Sequence, residues 1–328
     1  MVAPERLRII FMGTSEFAKI ILKKIFDEKN LEIAGVFAQP DKPSGRGLKK
    51  IEYGAVKKFV IDNRLDLYQP ISLNDPDVIA TVKELNPDFI VVAAYGKIIP
   101  ESIISIPKFD CINVHASLLP AFRGAAPIQR AIMESWNGRK ETGVSIMRVV
   151  RELDAGPIYT QQIIPIGNHS NDFLFHEIAE IGSDLLIKTI YDIVNKNLEP
   201  QEQEHNKATY AHKLTKEDGF INCNNSVDQI DAQIRAVKGW PGSRMNVKFD
   251  DENPPMTLEF TVSEIKIVET DNNKIGNIIR ENGNYKILCK NGYLILSKIK
   301  PQGKKWMDAK DFFNGKKIYK KDVYGIII

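Results

Sequence analysis

The feature that most constrains this fold is an alternation of short apolar runs with helical patterns over the first 150 residues. The continuous apolar runs recur at 8–12, 33–38, 89–94, 111–115 and 144–149. Helix-like spacing of apolar residues separates several of them, at about 16–29, 53–63, 76–85 and 126–135. Strands without polar alternation are buried on both faces, and helices between successive strands supply that cover in a parallel sheet. The first half therefore predicts an α/β domain, with Ser15 as the N-cap of its first helix.

The second half has a different pattern. Helical spacing predicts a long helix over 172–196, and the next residues, 197–207, are polar and rich in Glu and Gln. We interpret 197–207 as a linker between a first domain, 1–196, and a second domain, 208–328. Within the second domain, one helix is expected at 227–238, and the rest consists of short strands between turn-forming residues. Such closely spaced strands predict a small β-barrel.

Cysteine content and apolar run length exclude several classes of protein. The three cysteines are too far apart for a local metal-binding pattern and cannot all pair, so a disulfide scaffold is excluded. The longest apolar run, 89–95, is far too short to span a membrane. Charged residues also occupy the start of the chain, where a signal peptide needs an apolar core. We expect a cytoplasmic protein without a membrane partner.

Charge is distributed unevenly along the chain. The net charge is +3, but residues 1–207 hold 25 basic and 27 acidic residues, whereas 208–328 hold 20 and 15. Residues 286–328 alone contain 11 basic and 3 acidic residues, a net charge of +8. A basic end on a near-neutral body favours a polyanionic partner. A solvated lysine face is the alternative.

Two glycine-containing turns lack the motifs of nucleotide-binding loops. The turn at 13–18 has Ser15 and Ala18 where a dinucleotide fingerprint needs glycines. Gly45-Arg46-Gly47 is not followed by the Gly-Lys-Ser/Thr of a phosphate-binding loop. The sequence therefore argues against a nicotinamide dehydrogenase and a nucleotide hydrolase.

Polar side chains follow or end two of the predicted strands. Asn113 and His115 are two residues apart on one strand, so both side chains point to the same face. An amide and an imidazole together can stabilise an oxygen that becomes negative during acyl transfer. Asp154 follows the strand 144–149, and we expect it at the same edge of the sheet, where it can orient the histidine. A structural histidine and an ordinary turn aspartate are the alternatives.

Two loops are candidate binding segments. The rigid apolar loop formed by Ser117, Leu118, Leu119 and Pro120 suits a flat ring ligand, although it could equally serve core packing. The loop 39–50 concentrates positive charge against a single acidic residue, with its basic side chains at Lys42, Arg46, Lys49 and Lys50. This basic loop is either a solvated segment or a contact for phosphate groups.

Together, several motifs carry a resemblance to a known family. Asn-Val-His at 113–115, Ser-Leu-Leu-Pro at 117–120, Arg-Gly-Ala-Ala-Pro-Ile-Gln at 123–129 and Leu-Asp-x-Gly at 153–156 resemble the 10-formyltetrahydrofolate-dependent formyltransferases. The segments 11–18, 39–47 and 93–96 are similar to the branch of that family that formylates methionyl-initiator tRNA. Ala116 and Glu152 depart from the family pattern, which has glycine at these places in many members.

The resemblance implies a fold and an activity. The fold would be an N-terminal Rossmann-like parallel-sheet domain with a C-terminal OB-like barrel that binds tRNA. Asn113, His115 and Asp154 would be catalytic, and Ser117 to Pro120 would contact 10-formyltetrahydrofolate, the formyl donor. The basic loop with Lys42, Arg46, Lys49 and Lys50 would contact the tRNA acceptor stem. The expected enzyme is a monomer without a metal that prepares formyl-methionyl-tRNA for translation initiation.

Two other functions compete with this hypothesis. One is an amino-sugar or other small-amine formyltransferase with the same core, and the basic loop and basic second domain argue against it. The other is a non-catalytic RNA-binding protein, and the intact Asn113, His115 and Asp154 argue against that.

Overall fold

The computed structural model describes residues 6–41, 43–44, 50–316, 319 and 322–328. The chain divides into two compact units. The first contains the chain up to Ile128 together with Glu141–Pro165 and Phe173–His212. The second contains Gln129–Lys140, Ile166–Asp172 and Lys213–Ile328. Residues 197–207 thus pack with the first unit, and their function as a linker stays a prediction.

The first part of the chain alternates strands with helices, as the sequence predicts. Its strands are β1 (Leu7–Gly13), β2 (Leu31–Phe37), β3 (Pro43–Ser44), β4 (Lys50–Ile51), β5 (Leu67–Tyr68), β6 (Phe89–Ala93), β7 (Asp110–His115), β8 (Arg123–Gly124), β9 (Glu141–Arg148), β10 (Ile158–Pro165) and β11 (Tyr210–Ala211). Its helices are α1 (Glu16–Asp27), α2 (Ala55–Asp62), α3 (Pro76–Glu84), α4 (Glu101–Ile104), α5 (Pro127–Met133) and α6 (Asn171–Lys196).

Seven of these strands form one sheet in the order β10-β9-β7-β6-β1-β2-β5. Five of them, from β7 to β5, pair in parallel, so the predicted parallel α/β domain is confirmed. The strands β1 and β6 are almost wholly buried, as continuous apolar runs require when helices cover both faces. The N-cap is also confirmed, since the Ser15 hydroxyl accepts a hydrogen bond from the Ala18 amide.

The direction of one strand corrects the sequence analysis. β9 pairs antiparallel with β7, with His115 opposite Ser145 and Ile112 opposite Arg148. The carboxyl end of β9 therefore lies beside the middle of β7, and the reason given for placing Asp154 near His115 is wrong. Asp154 nevertheless reaches His115, because the connection from β9 to β10 folds back toward the end of β7.

The opposite end of β7 carries a separate polar cluster. Asp110 accepts a hydrogen bond from Arg148 Nε at 2.6 Å and another from the Tyr159 hydroxyl. Burial and the neighbouring carboxylate raise the pKa of Tyr159. These contacts fasten β7 to β9 and β10 at the end that does not carry His115 or Asp154.

The second unit contains the predicted helix and barrel. Its elements are α7 (Val227–Ala236), β12 (Arg244–Lys248), β13 (Met256–Ile267), β14 (Asn277–Glu281), β15 (Asn284–Cys289), β16 (Gly292–Pro301), β17 (Met307–Asp308), α8 (Ala309–Asn314) and β18 (Val323–Ile327). The antiparallel pairing runs β13-β12-β18-β14-β15-β16, and β16 pairs back to β13. Six strands therefore close into a barrel, which leaves few free edges.

The barrel interior is filled by apolar side chains from every strand of the ring. Phe313 of α8 is fully buried and stacks on Tyr285 with 4.7 Å between ring centroids. Around this pair the core includes Val247, Leu258, Ile278, Ile287 and Ile299. Across the described residues of both units, no helix is long and apolar enough to cross a membrane.

Candidate active site

The candidate catalytic residues meet where β7 ends. His115 is the last residue of β7, and Asp154 lies in the connection from β9 to β10. The Nδ1 atom of His115 is 3.6 Å from Oδ2 of Asp154. The exposed fractions of the two side chains are only 7% and 11%. The structure thus pairs two of the three residues singled out from the sequence at the carboxyl edge of the parallel strands, where ligands bind in open α/β sheets.

The hydrogen bonds of His115 distinguish its two ring nitrogens. Nε2 lies 2.9 Å from the carbonyl oxygen of Phe122. Because a carbonyl can only accept, Nε2 must carry a hydrogen and donate it. Nδ1 is then the nitrogen that remains to take up or release a proton, and it faces the Asp154 carboxylate.

Asp154 is held in an uncommon backbone conformation. Its φ is +51°, in the left-handed region that few residues other than glycine adopt. Oδ2 of Asp154 accepts a hydrogen bond from the Gly124 amide at 2.8 Å. Two protein contacts therefore fix the surroundings of His115, through Phe122 for one nitrogen and through Gly124 for its carboxylate partner.

Asn113 occupies the same strand face as His115, two residues earlier. Its side chain is half-buried, and it forms no side-chain hydrogen bond with any residue in the described ranges. Its backbone is fixed on both sides, opposite Val92 of β6 and Met147 of β9. The amide is therefore rigidly mounted, with its donors available to a substrate.

The loop 117–120 is fixed by two polar side chains from β9 and β10. The Ser145 hydroxyl accepts from the Leu119 amide at 3.1 Å and donates to the Ser117 carbonyl at 2.6 Å. Gln161 donates to both the Leu119 carbonyl and the Ser145 hydroxyl. The loop follows directly on His115, so these bonds hold it at a constant position relative to the ring.

The four side chains of this loop divide into two kinds. Ser117 and Leu119 are buried, and the Ser117 hydroxyl donates to the Ala121 carbonyl. Leu118 and Pro120 are half-buried. A Cβ atom added to Gly143 would come within 2.5 Å of Leu118 Cδ2, so Leu118 lies against that glycine. Only Leu118 and Pro120 therefore offer side-chain surface to a ligand.

Loops after the other parallel strands are joined to each other at the same edge. The backbone amide of Gln39 donates to the Thr14 hydroxyl, and the side-chain Nε2 of Gln39 donates to the Tyr95 carbonyl at 2.7 Å. A side chain at Gly96 would collide with Gln39 Nε2 at 2.6 Å, and the φ of Gly96 is +75°. Burial raises the pKa of Tyr95 to about 12, so its phenol stays neutral.

A cation–carboxylate pair adjoins these loops. Lys57 donates to the Asp41 carboxylate and, at 2.9 Å, to Gln69 Oε1. The hydrogen bond from Lys57 holds the pKa of Asp41 below its usual range. The acidic residue of the basic loop is therefore already neutralised by a lysine from α2.

Half of the basic loop, with three of its four basic residues, lies outside the described residues. Lys42, Arg46 and Lys49 are not described, and Lys50 is described only as backbone in β4. In the second unit, Lys304 and Lys305 are exposed, and Lys316 Nζ lies 4.5 Å from the centroid of the Phe249 ring. The proposed contacts of these cations with RNA stay predictions.

Two residues of the site region escaped the sequence analysis. Gln203 is buried and donates through Nε2 to the carbonyls of Asp154 and Gly156, at 2.9 and 2.7 Å. Arg123 is also buried, and its guanidinium donates to Gln203 Oε1 from Nε and Nη2. The polar composition of 197–207 indicates a linker and hides a buried glutamine. Arg123 was noted only as part of a motif.

A metal site built from side chains needs several ligands close together. Within the part of the chain that the structure describes, no group of three or more His, Cys, Asp or Glu side chains could hold a metal ion. The polar groups of the site are the Asn113 amide, the His115 imidazole and the Asp154 carboxylate. These groups suit proton transfer and oxyanion binding.

Sequence comparison identifies the family. Residues 7–190 match the model described as formyl transferase, and residues 213–317 match the formyl transferase C-terminal domain. The chain belongs to the formyl transferase family. It is therefore an enzyme of the formyl-transfer class. The resemblance found in the motifs is confirmed.

Relatives match this chain over almost its whole length. A methionyl-tRNA formyltransferase from Sulfurihydrogenibium sp. is 42% identical over 95% of this chain and 98% of its own length. Another from Dictyoglomus turgidum is 43% identical over 94% of this chain and 96% of its own. The alignments therefore extend across both regions that match the family models.

Solved structures with low sequence identity share the fold. An N-formyltransferase from Helicobacter canadensis, in complex with folinic acid and dTDP-3-aminofucose, has a TM-score of 0.60 and 18% identity over 90% of this chain and 100% of its own. HypX from Aquifex aeolicus with tetrahydrofolic acid has a TM-score of 0.60 and 12% identity over 94% of this chain and 47% of its own. They support the architecture alone.

Proposed function

We propose that this enzyme transfers the formyl group of 10-formyltetrahydrofolate to the amino group of methionyl-initiator tRNA in the cytoplasm. The observation that carries the proposal is the close pairing of His115 with Asp154 beside Asn113 at the carboxyl edge of the sheet. The relatives named methionyl-tRNA formyltransferase support the choice of acceptor, because they align over almost the whole chain.

The reaction needs one bond to form and one to break. The amine nitrogen attacks the formyl carbon, a carbon–nitrogen bond forms, and the carbonyl oxygen becomes negative. The tetrahedral intermediate then collapses, the bond to the folate nitrogen breaks, and tetrahydrofolate leaves. The attacking amine must lose a proton and the leaving nitrogen must gain one, so the site has to move a proton as well as stabilise an oxyanion.

Each polar group has a defined role in these steps. The side-chain amide of Asn113 donates a hydrogen bond to the oxyanion. His115 takes up and releases a proton at Nδ1, because Nε2 already donates to the Phe122 carbonyl. The Asp154 carboxylate, 3.6 Å from Nδ1, stabilises positive charge on the imidazole and accepts the proton of the amine directly or through water.

The loop 117–120 fits a flat ring at the required place. Leu118 and Pro120 present half-buried apolar surface next to the catalytic histidine, and the Ser145 and Gln161 bonds keep that surface fixed. A pterin ring placed there would bring the formyl group, which is on the nearby N10 nitrogen of the folate, close to His115. Such positioning of both reactants supplies a large part of the rate acceleration in group transfer.

The basic loop and the barrel would bind the RNA. Arg46 can engage phosphate or a base edge with two hydrogen bonds, and Lys42, Lys49 and Lys50 add positive charge beside it. The exposed lysines of the barrel unit would contact other phosphates of the RNA backbone. A small amine acceptor requires neither feature.

One assay separates the proposed function from its alternatives. Purified enzyme is incubated with radiolabelled 10-formyltetrahydrofolate and one of three acceptors: methionyl-initiator tRNA, free methionine or a nucleotide-linked amino sugar. We expect label in the tRNA alone. Transfer to the amino sugar with an inert tRNA would establish a sugar formyltransferase. Binding of tRNA without transfer to any acceptor would establish a non-catalytic RNA-binding protein.

A further inference from the structure

Gln203 forms a bridge beneath the loop that carries Asp154. Its Nε2 donates one hydrogen to the carbonyl of Asp154 at 2.9 Å and the other to the carbonyl of Gly156 at 2.7 Å. Both donors of one amide are therefore used on two peptide groups of a single turn. The side chain is 6% exposed, so water does not compete strongly for these bonds.

Arg123 fixes the orientation of the Gln203 amide. Oε1 of Gln203 accepts from Arg123 Nε at 3.1 Å and from Nη2 at 2.6 Å. A guanidinium has only donors, so the oxygen of the amide must face it and the nitrogen must face the two carbonyls. Arg123 Nη2 also lies 3.0 Å from Nδ1 of His205. The cation thus places the amide hydrogens where the Asp154 loop needs them.

The residue that follows Arg123 holds the carboxylate of Asp154. Gly124, next to Arg123, donates its amide to Asp154 Oδ2. Gly124 belongs to β8, which pairs with β11, and a side chain at Gly124 would meet the Ala211 carbonyl at 2.9 Å. The backbone of Asp154 is therefore anchored by Gln203 and its carboxylate by Gly124, and β11 supports Gly124.

The backbone of Asp154 needs such an anchor. With φ at +51°, it occupies left-handed backbone, which Asp adopts more readily than most residues but less readily than glycine. Without the two hydrogen bonds from Gln203, the turn would relax toward commoner conformations and move the carboxylate. A displacement of about 1 Å at a reacting group can cost about 100-fold in rate.

We propose that Gln203 is a positioning residue for catalysis, which acts through Asp154 by fixing the backbone of the loop that carries it. The inference rests on the proposed function and extends it to a segment with linker-like composition. Gln203 forms no hydrogen bond with His115, and its amide takes no proton. Gln203 affects the geometry of the Asp154 carboxylate, so its loss should lower kcat.

Two variants isolate the donors of Gln203. Gln203→Glu keeps an oxygen for Arg123 and the size of the side chain but removes both hydrogens that reach the loop. Gln203→Met removes the donors without adding charge. Gln201→Ala is the matched control, because Gln201 is an exposed residue that hydrogen-bonds to Ile158 through its backbone. We measure kcat, KM for both substrates, and folding by circular dichroism.

We expect both Gln203 variants to lower kcat about 10- to 100-fold while KM for tRNA and folate changes less than about threefold. Gln201→Ala should match the parent enzyme. A folded Gln203→Glu protein with unchanged kcat overturns the positioning role. If the parent enzyme forms no formyl-methionyl-tRNA at all, the proposed function itself fails, and this outcome is distinguishable from the first.

A double-mutant cycle with Asp154→Asn separates positioning from a merely structural role. If Gln203 acts through the carboxylate, Gln203→Glu should cost less than about threefold in kcat once Asp154 is Asn, because residues that act as a unit are non-additive. Independent, multiplicative losses would contradict the proposal. Thermal unfolding of all four proteins shows whether the changes in stability follow the changes in kcat. If Gln203 has only a structural role, Gln203→Glu should lower kcat by the same factor whether residue 154 is Asp or Asn.

Discussion

The site loops and the barrel are held together by different forces. Around His115, side chains and peptide groups distant in sequence are joined by hydrogen bonds, such as those of Gln203 and Gly124 to Asp154. In the barrel, the interior around Phe313 is apolar and depends on burial. Directional bonds fix positions to a fraction of an ångström, whereas apolar packing contributes free energy with less directional control. Substitutions in the two regions should therefore affect rate and stability differently.

The largest expected effect is on catalysis at His115. His115→Ala removes the only imidazole of the proposed catalytic set, and we expect kcat to fall about 10³-fold or more, because oxyanion stabilisation and proton transfer are both impaired. The loss corresponds to about 4 kcal/mol of activation free energy. Single-turnover formylation with saturating tRNA measures it. A folded variant with near-normal turnover would refute the assignment of His115.

In the barrel, a large substitution should affect stability alone. Phe313→Ala removes a fully buried ring that stacks on Tyr285, and such deletions destabilise by about 3–5 kcal/mol. We expect faster amide exchange throughout the barrel strands, with kcat at saturating tRNA within about twofold of the parent enzyme in the folded fraction. Exposed Trp306→Ala is the control for loss of an aromatic side chain without loss of core. A drop in kcat comparable to that of His115→Ala would contradict the division between the two regions.

The sequence predicted the scaffold well because its signals are local. Continuous apolar runs located β1, β6 and β7 within a residue or two, and Ser15 marked the start of α1. The helix at 172–196 is α6, offset by one residue at its start. Burial on both faces and N-capping are properties of a few adjacent residues, so they can be read without knowing the tertiary structure.

The parts that were wrong or missed depend on distant residues. The direction of β9 follows from its pairing with β7, and nothing within 144–149 encodes it. The donors of Gln203 matter only because the chain returns to Asp154 forty-nine residues later. A polar, Glu-rich segment has the composition of a linker whether or not one of its side chains is buried. The close approach of His115 to Asp154 was expected, but the path that produces it was not.

Asp154→Asn separates the charge of the carboxylate from the geometry of its loop. Asparagine has a similar shape, tolerates left-handed backbone and can still accept from the Gly124 amide, so the loop should keep its conformation. The negative charge beside Nδ1 of His115 is lost, and we expect kcat to fall about 100-fold with little change in KM. Stopped-time formylation assays at varied tRNA and folate give both constants. A rise in KM at constant kcat would instead indicate a binding residue.

The smallest effect concerns charge on the barrel unit. Lys304 and Lys305 are exposed and belong to the basic region 286–328. If they contact tRNA phosphates, Lys304→Gln with Lys305→Gln should reduce the slope of log affinity against log salt by up to about 0.7–0.9 per contact. At fixed moderate salt, this amounts to a loss of only a few-fold in tRNA affinity. Turnover at saturating tRNA should survive, because the proposed catalytic residues lie in the other unit.

Lys188→Gln provides a control at a lysine outside the basic region 286–328. Lys188 is an exposed lysine on α6, and its Nζ lies 2.6 Å from Oδ2 of Asp192. Its replacement by Gln removes one positive charge from the first unit. Fluorescence-monitored tRNA binding at four or more salt concentrations gives the slope for each protein. An identical slope for the Lys304/Lys305 variant and the parent enzyme would assign these lysines to a solvated face. A shallower slope for that variant but not for Lys188→Gln would mean that the barrel unit contributes electrostatic affinity, while the hydrogen-bonded site contributes the chemistry.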